Sequence, residues 1–340
     1  MMIGVLTAGG DCPGLNAAIR GVVTRAAAAG KSVVGIEEGW QGLIEGRVRP
    51  LGRDDVRGIL GRGGTILGTS RTDPYVHGNG LESFRNTLER EEIEALVVIG
   101  GDGSLRSAAR IHGEGLAVVG IPKTIDNDIA GTDVTLGFHT AVQIVVDAID
   151  RLTTTAESHN RVMVVEVMGR RAGWIAACAG LAGGAEAIVV PELSPDYGQL
   201  AERIIRRHDA GHDYSVVVVA EGAPGPSGRI HASGSDPFGF ERLGGVGQAV
   251  AADLEQRTGY EVRVMALGYL QRGGTPTAYD RLLGTRFGVK AAETVLAGES
   301  GVMVALRGAE VVTVDLEKAV AEPRPLDLTW MDTARWFWPR

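Results

Sequence analysis

One local pattern recurs along most of this chain and constrains its fold more than any other feature. A short run of β-branched residues leads into a glycine-rich turn, which leads into a stretch of Ala, Leu and Arg with helical spacing. The apolar runs do not alternate with polar residues, which predicts strands buried on both faces. Strands alternating with helices predict a mainly parallel sheet. At ~150 residues per domain, 340 residues predict an α/β protein of two doubly wound lobes.

The pattern also predicts the positions of individual elements. The predicted strands are Ile3–Thr7, Ser32–Ile36, Leu96–Ile99, Ala117–Ile121, Val162–Val167, Ile188–Val190, Ser215–Ala220 and Val262–Leu267. The predicted helices are Leu15–Ala29, Leu105–Gly113, Thr140–Thr153, Gly198–His208, Val246–Arg257 and Arg281–Leu296. The segment Gly222–Gly247, rich in Gly, Pro and Ser, is predicted as a long loop that is either functional or mobile. The tryptophan-rich C-terminus is predicted to dock onto a lobe or a neighbouring subunit.

Composition and charge exclude several classes of protein. No apolar run approaches the ~20 residues of a membrane helix, and no basic leader precedes Ile3. The two cysteines, Cys12 and Cys178, cannot form a disulfide framework or a cysteine zinc site, which favours a cytoplasmic location. A net charge of −8 argues against a general nucleic-acid binder, and it requires local cations wherever an anion binds. We therefore expect neither nucleic acid nor membrane as a partner.

Glycine is the compositional outlier, with 50 of 340 residues against a usual share of ~7%. The turn Gly9–Gly14 follows the first predicted strand and precedes the helix that begins at Leu15, with Asn16 or its neighbours as candidate caps. One reading is a plain strand-to-helix turn. The other is a phosphate site, because backbone N–H groups at a helix N-terminus bind anions.

The turn Gly100–Ser104 gives a stronger signal. A buried strand delivers two glycines, Asp102, a third glycine and a hydroxyl to the start of a helix. Asp102 as an N-cap is the simpler interpretation. Three glycines within four positions exceed what a cap needs, however, and they favour a polyphosphate lying against backbone while Asp102 binds Mg²⁺ through oxygen.

The sharpest signal is the stretch Gly120–Asp128, which follows another predicted strand. Asp126 and Asp128 stand two residues apart with an amide between them and Lys123 nearby. This pattern fits an acid–base and metal site, whereas the alternative is a solvated turn. Arginine suits phosphate oxygens, and the candidate cations are Arg71, Arg161, Arg170, Arg171, Arg263 and Arg272.

These stretches, in this order and spacing, resemble the bacterial-type 6-phosphofructokinases from Ile3–Asp11 to Trp330–Asp332. The shared stretches are Gly100–Ser104, Thr124–Asp128, Glu166–Arg170 and Gly268–Gly274. Gly222–Gly247 reads as an insertion relative to shorter members. The resemblance implies a nucleotide-binding lobe of residues 1–137 plus roughly 271–321. It also implies a sugar-phosphate-binding lobe of roughly 138–270 plus 322–340, an active site between the lobes, and a homo-oligomer, either a tetramer or a dimer.

The resemblance further implies phosphoryl transfer from Mg-ATP to the 1-hydroxyl of fructose 6-phosphate, the committed step of glycolysis. Asp126 is then the base, Asp128 its orienting and metal-side partner, Thr124 steadies the phosphoryl group, and Arg170 stabilises transferring charge. The implied nucleotide contacts are Gly10, Arg71, Thr72, Gly101, Asp102, Gly103 and Ser104, with Asp102 on the Mg²⁺ side. The implied sugar contacts are Thr124, Ile125, Asp126, Met168, Gly169, Arg170, Glu221, Tyr269 and Arg272, with Arg161 and Arg263 from a neighbouring subunit.

Two positions bear on the phosphoryl donor. In the family that the chain resembles, ATP users carry glycine at the position of Gly103, whereas pyrophosphate users carry an acidic residue there. Lysine at the position of Lys123 is typical of pyrophosphate users. The combination indicates a mixed subgroup, and we expect ATP as donor because lysine tolerates a nucleotide while a carboxylate opposes one.

Regulation and sugar range are less determined. Thr24 and Thr153 stand where regulated bacterial enzymes carry effector-site arginines, and His212 lies near the position of their lysines. Arg20, Arg53 and Glu186 remain, so we expect little response to ADP or phosphoenolpyruvate. Tyr269 replaces a common histidine, which leaves open a wider sugar range such as sedoheptulose 7-phosphate.

Three alternatives stay open. The first is a pyrophosphate-dependent phosphofructokinase. The second is a lipid or NAD kinase, which would share the Gly-Gly-Asp-Gly turn but would not account for Pro122–Asp128. The third is a catalytically silent sensor of nucleotide or sugar phosphate, against which the paired Asp126 and Asp128 argue.

Overall fold

The computed structural model describes residues 1–76, 78, 80–230, 232–235 and 241–338. The strands are β1 (Met2–Ala8), β2 (Ser32–Ile36), β3 (Val48–Pro50), β4 (Ile93–Gly100), β5 (Ala117–Pro122), β6 (Val162–Val167), β7 (Ala187–Val189), β8 (Ser215–Ala220), β9 (Ala232–Ser235), β10 (Glu241–Leu243), β11 (Val262–Ala266), β12 (Val302–Arg307) and β13 (Glu310–Asp315). The α-helices are α1 (Leu15–Ala28), α2 (Trp40–Glu45), α3 (Gly80–Arg90), α4 (Asp102–Gly113), α5 (Phe138–His159), α6 (Trp174–Ala182), α7 (Tyr197–Asp209), α8 (Val246–Thr258), α9 (Ala278–Leu296), α10 (Leu316–Ala319) and α11 (Thr329–Arg335). A 3₁₀ turn covers Gly268–Arg272.

The chain divides into two compact units. The first unit comprises Met1–Ile125, Ile129–Thr140 and Arg272–Arg324. The second comprises Asp126–Asp128, Ala141–Gln271 and Pro325–Arg340. Each unit is therefore built from separated stretches of sequence, and one division falls inside α5.

The first unit contains a seven-stranded sheet in the order β13-β12-β5-β4-β1-β2-β3. Its central pairs are parallel, whereas β2–β3 and β12–β13 are antiparallel at the two edges. In β1 every residue after Met2 is buried, because helices cover both faces of such a sheet. Each fully buried Leu or Ile, such as Leu6 and Leu96, contributes about 1.5–3 kcal/mol.

Helices α1 and α9 pack closely in the first unit because small residues face each other. A Cβ at Gly288 would lie 2.1 Å from the carbonyl oxygen of Ala18. A Cβ at Gly284 would lie 2.9 Å from the carbonyl oxygen of Gly14. Only glycine permits this approach, so part of the unusual glycine content is explained by packing.

The second unit contains a four-stranded sheet in the order β11-β6-β8-β7, in which all pairs are parallel. Strands β6 and β8 are buried at every residue, as their unbroken apolar runs predict. The predicted α/β class with mainly parallel sheets is confirmed.

One expectation about the fold needs correction. The segment Gly222–Gly247 is not wholly a loop, because β9 and β10 form an antiparallel pair within it; residues 231 and 236–240 lie outside the described part. In the C-terminal segment, Met331 is buried and the ring of Trp338 covers the guanidinium of Arg203. Trp336 and Phe337 are 77% and 76% exposed in the single chain, so docking onto a neighbouring subunit stays a prediction. No helix in the described ranges is long and apolar enough to span a bilayer.

Candidate active site

Three glycine- or carboxylate-bearing segments begin at the same edge of the first unit's sheet. The register pairs Ala8 of β1 with Gly100 of β4, and Gly100 with Pro122 of β5. Because parallel strands end at a common edge, Gly9–Gly14, Gly100–Ser104 and the stretch from Lys123 start side by side. Ligands of open α/β sheets bind outside the carboxyl ends of strands.

The first glycine-rich turn, Gly9–Gly14, is held by protein groups. The backbone N–H of Gly9 donates to Ser70 O at 2.8 Å, and Thr69 Oγ1 donates to Gly9 O at 2.6 Å. Gly9 and Gly14 have φ angles of 83° and 108°, which favour glycine. A Cβ at Gly10 would lie 2.3 Å from Nη1 of Arg272. This turn is therefore closely packed.

Asn16 does not cap the helix that follows this turn. The cap position of α1 is Gly14, with no side-chain hydrogen bond. Asn16 is buried, its Nδ2 donates to Arg62 O at 2.9 Å, and its Oδ1 accepts the N–H of Ile66 at 2.8 Å. The Asn16 side chain instead binds the backbone of residues 62–66. An N-cap must precede the first helical residue, and Asn16 lies inside the helix.

The second glycine-rich turn, Gly100–Ser104, opens helix α4. Gly101 is the cap residue and Asp102 is the first helical residue, so the N-cap interpretation of Asp102 is wrong. Its carboxylate lies in the first turn, where the helix dipole favours negative charge, and it pairs with Arg106 at 2.9 Å. A Cβ built at Gly100 would lie 2.5 Å from the Cβ of Ser104, so Ser104 fills that space.

Gly103 differs from its neighbours in this turn. No atom lies within 4 Å of a Cβ built at Gly103, and the residue is exposed. It occupies the second position of a helix, where glycine is less favourable than alanine by about 0.5–1 kcal/mol. No contact among the described residues therefore requires glycine here.

Asp102 is the residue of this turn suited to Mg²⁺. Mg²⁺ is commonly held by one or two carboxylates together with substrate phosphates. In the described ranges, no group of three or more His, Cys, Asp or Glu side chains could hold a metal by itself. One partly exposed carboxylate in a glycine-rich turn fits a cation that arrives with its phosphates.

Lys123 is buried and binds backbone rather than facing solvent. Its Nζ donates to Ala8 O at 3.0 Å and to Gly10 O, and only 2% of the residue is exposed. Burial lowers the pKa of Lys123 to about 8, because the charged form loses hydration. The ammonium thus fastens the first glycine-rich turn to the end of β5.

The stretch from Thr124 to Asp128 exposes alternate residues. Thr124, Asp126 and Asp128 are partly exposed, whereas Ile125 and Asn127 are buried. Asn127 has a φ of 53°, a conformation that asparagine tolerates better than most residues. The predicted base, its partner carboxylate and the predicted phosphoryl contact are therefore all accessible to solvent.

Asp280 was not singled out by sequence reasoning, yet it fixes the chain near Thr124. It is fully buried on α9 and accepts the N–H groups of Gly137 at 2.9 Å and Thr140 at 2.7 Å. These groups start α5. The adjoining Thr135 Oγ1 donates to Thr124 O at 2.6 Å. Asp280 and Thr124 are separated by more than 150 positions in the chain, so spacing gave no signal of this link.

The predicted nucleotide contacts outside the turns lie before α3. Arg71 is exposed, and Thr72 Oγ1 donates to Gln41 Oε1 at 2.8 Å. Arg272, predicted as a sugar contact, lies on the first glycine-rich turn of this unit, with Nη1 3.4 Å from Asp11 O.

In the second unit, Met168–Arg170 and Glu221 follow neighbouring strands. Val167 of β6 pairs with Ala220 of β8, and the N–H of Glu221 donates to Val167 O at 2.8 Å. A Cβ at Gly222 would lie 2.0 Å from Arg170 O, which requires glycine. The structure therefore brings Met168, Gly169, Arg170 and Glu221 together.

Gln271 is a second residue that sequence reasoning did not assign. It is fully buried, its Oε1 accepts the N–H of Met168 at 3.1 Å, and its Nε2 donates to Gly268 O at 3.1 Å. It thereby joins the predicted sugar loop to the segment that carries Tyr269. Tyr269 is 76% exposed, so its hydroxyl is available to a ligand.

Arg161 and Arg263 lie away from these residues. Arg161 precedes β6, and Arg263 pairs with Met163 near the amino end of that strand. Both bind the carboxylate of Glu261, Arg161 at 2.9 Å, and the hydrogen bond from Arg161 lowers the pKa of Glu261. Because six β residues span about 20 Å, Arg161 and Arg263 do not meet Met168–Arg170 within one chain.

Glu186, one of the retained effector-site positions, already has partners in the second unit. Its carboxylate pairs with Arg207 at 2.8 Å and accepts the N–H of Val216. Burial raises the pKa of Glu186. Thr153, in the same unit, donates to Ile149 O at 2.9 Å, as threonines in helices commonly do.

Comparison with known proteins assigns these features to one family. Residues 2–295 match the family described as Phosphofructokinase. Over 325 residues the chain is 54% identical to the pyrophosphate–fructose 6-phosphate 1-phosphotransferase of Amycolatopsis methanolica, covering 95% of each chain. Over 323 residues it is 51% identical to ATP-dependent 6-phosphofructokinase 3 of Streptomyces coelicolor, covering 94% of this chain and 95% of the relative.

A solved structure gives the same assignment. The crystal structure of Pichia pastoris phosphofructokinase in the T-state matches with a TM-score of 0.83 and 34% identity over 94% of this chain. This chain spans only 35% of the Pichia chain. The resemblance stated above is confirmed at family level, while its relatives carry names that differ in phosphoryl donor. The chain belongs to the phosphofructokinase family.

Proposed function

We propose that this protein is an ATP-dependent 6-phosphofructokinase, which transfers the γ-phosphoryl group of Mg-ATP to the 1-hydroxyl of fructose 6-phosphate. The products are fructose 1,6-bisphosphate and ADP. Residues of the first unit bind the donor, and Met168–Arg170 and Glu221 of the second bind the sugar. Support comes from family membership together with the common strand edge from which the three motifs begin.

Gly103 carries the choice of ATP over pyrophosphate. It is exposed, has no neighbour within 4 Å of a Cβ position, and stands in a helix that would be more stable with alanine. A ligand that passes close to the backbone explains the glycine, whereas pyrophosphate users of the family carry an acidic residue here. The α-phosphate of a nucleotide would be repelled by that residue.

Asp126 is the proposed base. It accepts the proton of the 1-hydroxyl as the sugar oxygen bonds to the γ-phosphorus and the bond to the bridging oxygen of ADP breaks. The transition state of phosphoryl transfer is loose, so positioning matters more than basicity, and an ordinary carboxylate is sufficient at neutral pH. Asp128, exposed on the same stretch, orients this proton transfer.

Charge neutralisation supplies most of the remaining catalysis. Arg170 stabilises the transferring phosphoryl group, and Thr124 donates to it. The backbone N–H groups at the start of α4, from Gly101 to Ser104, bind donor phosphate. Mg²⁺, held by Asp102 and the donor phosphates, withdraws charge from the phosphate oxygens when bound.

The sugar 6-phosphate requires a second copy of the chain. Arg161 and Arg263 lie at the amino end of their strands, remote from Met168–Arg170 of the same chain. We therefore propose that they serve the site of a neighbouring subunit together with that subunit's Arg272, and that the enzyme is a homo-oligomer, a tetramer in the family's usual form. We further propose a cytoplasmic location.

A second candidate is the pyrophosphate-dependent enzyme. Lys123 favours it, as does the name of the Amycolatopsis methanolica relative. Against it, Nζ of Lys123 is bound to Ala8 O and Gly10 O, so the lysine supports the turn and is not free to bind the donor.

The test is a steady-state assay of fructose 6-phosphate phosphorylation with Mg²⁺, with ATP or pyrophosphate as donor. Turnover with ATP alone supports the proposal. A preference for pyrophosphate contradicts the choice of donor while leaving the sugar site intact. Absence of turnover with both donors favours a silent sensor or another sugar phosphate, such as sedoheptulose 7-phosphate.

Asp126→Asn tests the base itself. We expect turnover to fall roughly 10²–10⁴-fold, as for a positioned acid or base, with fructose 6-phosphate binding by calorimetry largely retained. Asp54→Asn, an exposed carboxylate of the first unit, is the control. Unchanged turnover in Asp126→Asn would refute the assigned role.

A further inference from the structure

The second unit contains a cavity of about 390 Å³ that none of the residues assigned above lines. It lies between α7, the end of β7 and the C-terminal helix α11. Its volume falls within the ~300–1,000 Å³ range of small-molecule sites. Much of its wall is apolar and includes Ile188, Leu193, Leu200 and Met331.

Arg203 gives this cavity its chemical character. Its Nε is fully buried and has no hydrogen-bond partner among the described residues. The ring of Trp338 covers the guanidinium, with the ring centroid 4.8 Å from Cζ. Burial lowers the pKa of Arg203, and the charged groups acting on it, Arg206 and Arg335, are both cations.

The neighbouring cations are themselves paired. Arg335 binds Asp332 at 2.9 Å, and Arg206 faces Glu202 at 3.7 Å. Arg203 is therefore a cation in the cavity wall, and its buried Nε–H has no hydrogen-bond acceptor among the described residues. A buried donor without a partner is costly, although Arg203 as a whole is only partly buried. An anion in the cavity would neutralise the accessible part of the guanidinium.

We propose that this cavity binds a small organic acid, with its carboxylate or phosphate on Arg203 and its apolar body against the wall. The planar fork of a guanidinium matches the oxygens of a carboxylate or a phosphate in geometry. The compound should carry a single acidic group, because a carboxylate stands at the end of the cavity opposite Arg203. That carboxylate belongs to Asp196, which lies about 10 Å along the helix from Arg203 and accepts the N–H of Gln199 at 3.0 Å.

The experiment is calorimetric titration of the whole protein with 3-phenylpropionate and with phenyl phosphate. Neutral 3-phenylpropanamide and inorganic phosphate are the matched probes. We expect at least one of the two aromatic acids to bind with a Kd below about 1 mM, and the amide at least about tenfold more weakly. Preference between the two acids identifies the anionic group. Quenching of tryptophan fluorescence on binding should diminish in Trp338→Phe.

Two arginine variants separate this cavity from any other anion site. Arg203→Gln should weaken binding at least about tenfold, whereas Arg206→Gln, on the same helix but half-exposed, should not. Without ligand, Arg203→Gln should lower the unfolding temperature only slightly, because it loses the contact with Trp338 but no hydrogen bond from Nε.

Several outcomes would overturn the proposal. These are no binding of either acid at about 10 mM, equal binding of the amide, equal binding of inorganic phosphate, or binding that Arg203→Gln leaves unchanged. A marked loss of thermal stability in Arg203→Gln would also overturn it, because Arg203 would then be a structural residue. Trp338→Phe provides a second test that does not depend on that arginine.

Discussion

The two glycine-rich turns at the edge of the first unit's sheet both begin with Gly-Gly-Asp but have different surroundings. In the first turn, a Cβ at Gly10 would lie 2.3 Å from Arg272, and Gly9 and Gly14 have positive φ angles. In the second, a Cβ at Gly103 would meet nothing within 4 Å. The protein itself explains the glycines of the first turn, whereas no contact among the described residues explains Gly103.

This difference shows how to interpret glycine in a binding motif. The first turn is a scaffold that hydrogen bonds from Lys123 and Thr69 hold in place. The second is an open surface at a helix start. A glycine that no neighbouring atom requires, in a helix it destabilises, is a better indicator of a ligand than a glycine locked into place.

The largest effect that would test this comparison is on activity with ATP. Gly103→Asp should lower kcat/KM for ATP at least about 10²-fold, because juxtaposed like charges cost several kcal/mol. Gly103→Ala, which adds a methyl group without charge, is the matched control and should lose less efficiency with ATP than Gly103→Asp. The measurement is a donor titration at saturating sugar phosphate. Unchanged ATP efficiency in Gly103→Asp would remove the argument for ATP drawn from this position.

A smaller effect concerns stability. Gly14→Ala should lower the free energy of unfolding by about 1–3 kcal/mol, because alanine is strained at a φ of 108° and its methyl group would lie 2.8 Å from Cδ1 of Leu136. Gly103→Ala should raise it by about 0.5–1 kcal/mol, because alanine is the better helical residue. Urea titrations of both variants measure these changes, and equal effects would show that the two turns do not differ as described.

The smallest effect concerns pH and the scaffold turn. The pKa of Lys123 is about 8 in the folded chain against an ordinary 10.5. The unfolded chain therefore binds more protons at Lys123 between these values, and the contribution of Lys123 to the free energy of unfolding should rise with pH across this window. The slope is at most about 1.4 kcal/mol per pH unit.

Lys123→Met should abolish this rise, whereas Lys31→Met, at an exposed position, should preserve it. Urea titrations between pH 8 and pH 10.5 measure the difference. If the free energy of unfolding of the parent rises with pH no more than that of Lys123→Met, Lys123 is not the titrating group.

Much of the fold could be predicted because buried parallel strands have a strong sequence signal. Ser32–Ile36, Val162–Val167 and Ser215–Ala220 were predicted with the bounds that the structure has, since each is an apolar run with clear ends. The edge strands β3 and β13 were not predicted, because their mixed residues resemble loops. β12 and α6 were also missed, since an apolar run alone does not distinguish strand from helix.

The candidate site was predictable where chemistry lies in one short motif, as at Gly100–Ser104 and Thr124–Asp128. The roles of Asp280 and Gln271 were not, because their partners lie more than 100 positions away in sequence. Helix caps failed for a local reason. Asn16 lies two positions after the cap residue Gly14, and Asp102 lies one position after the cap residue Gly101.

The interrupted make-up of the first unit has a consequence for synthesis on the ribosome. Helix α1 is made early, but α9, which covers it, belongs to Arg272–Arg324, after the central stretch of the second unit. At 5–20 residues per second, the interval between Ala28 and Leu296 corresponds to roughly 15–55 s. During that time Ala17, Ala18 and Gly21, which lie against α9 in the finished protein, are not yet covered by it. The first unit therefore cannot complete its packing until most of the chain has been made.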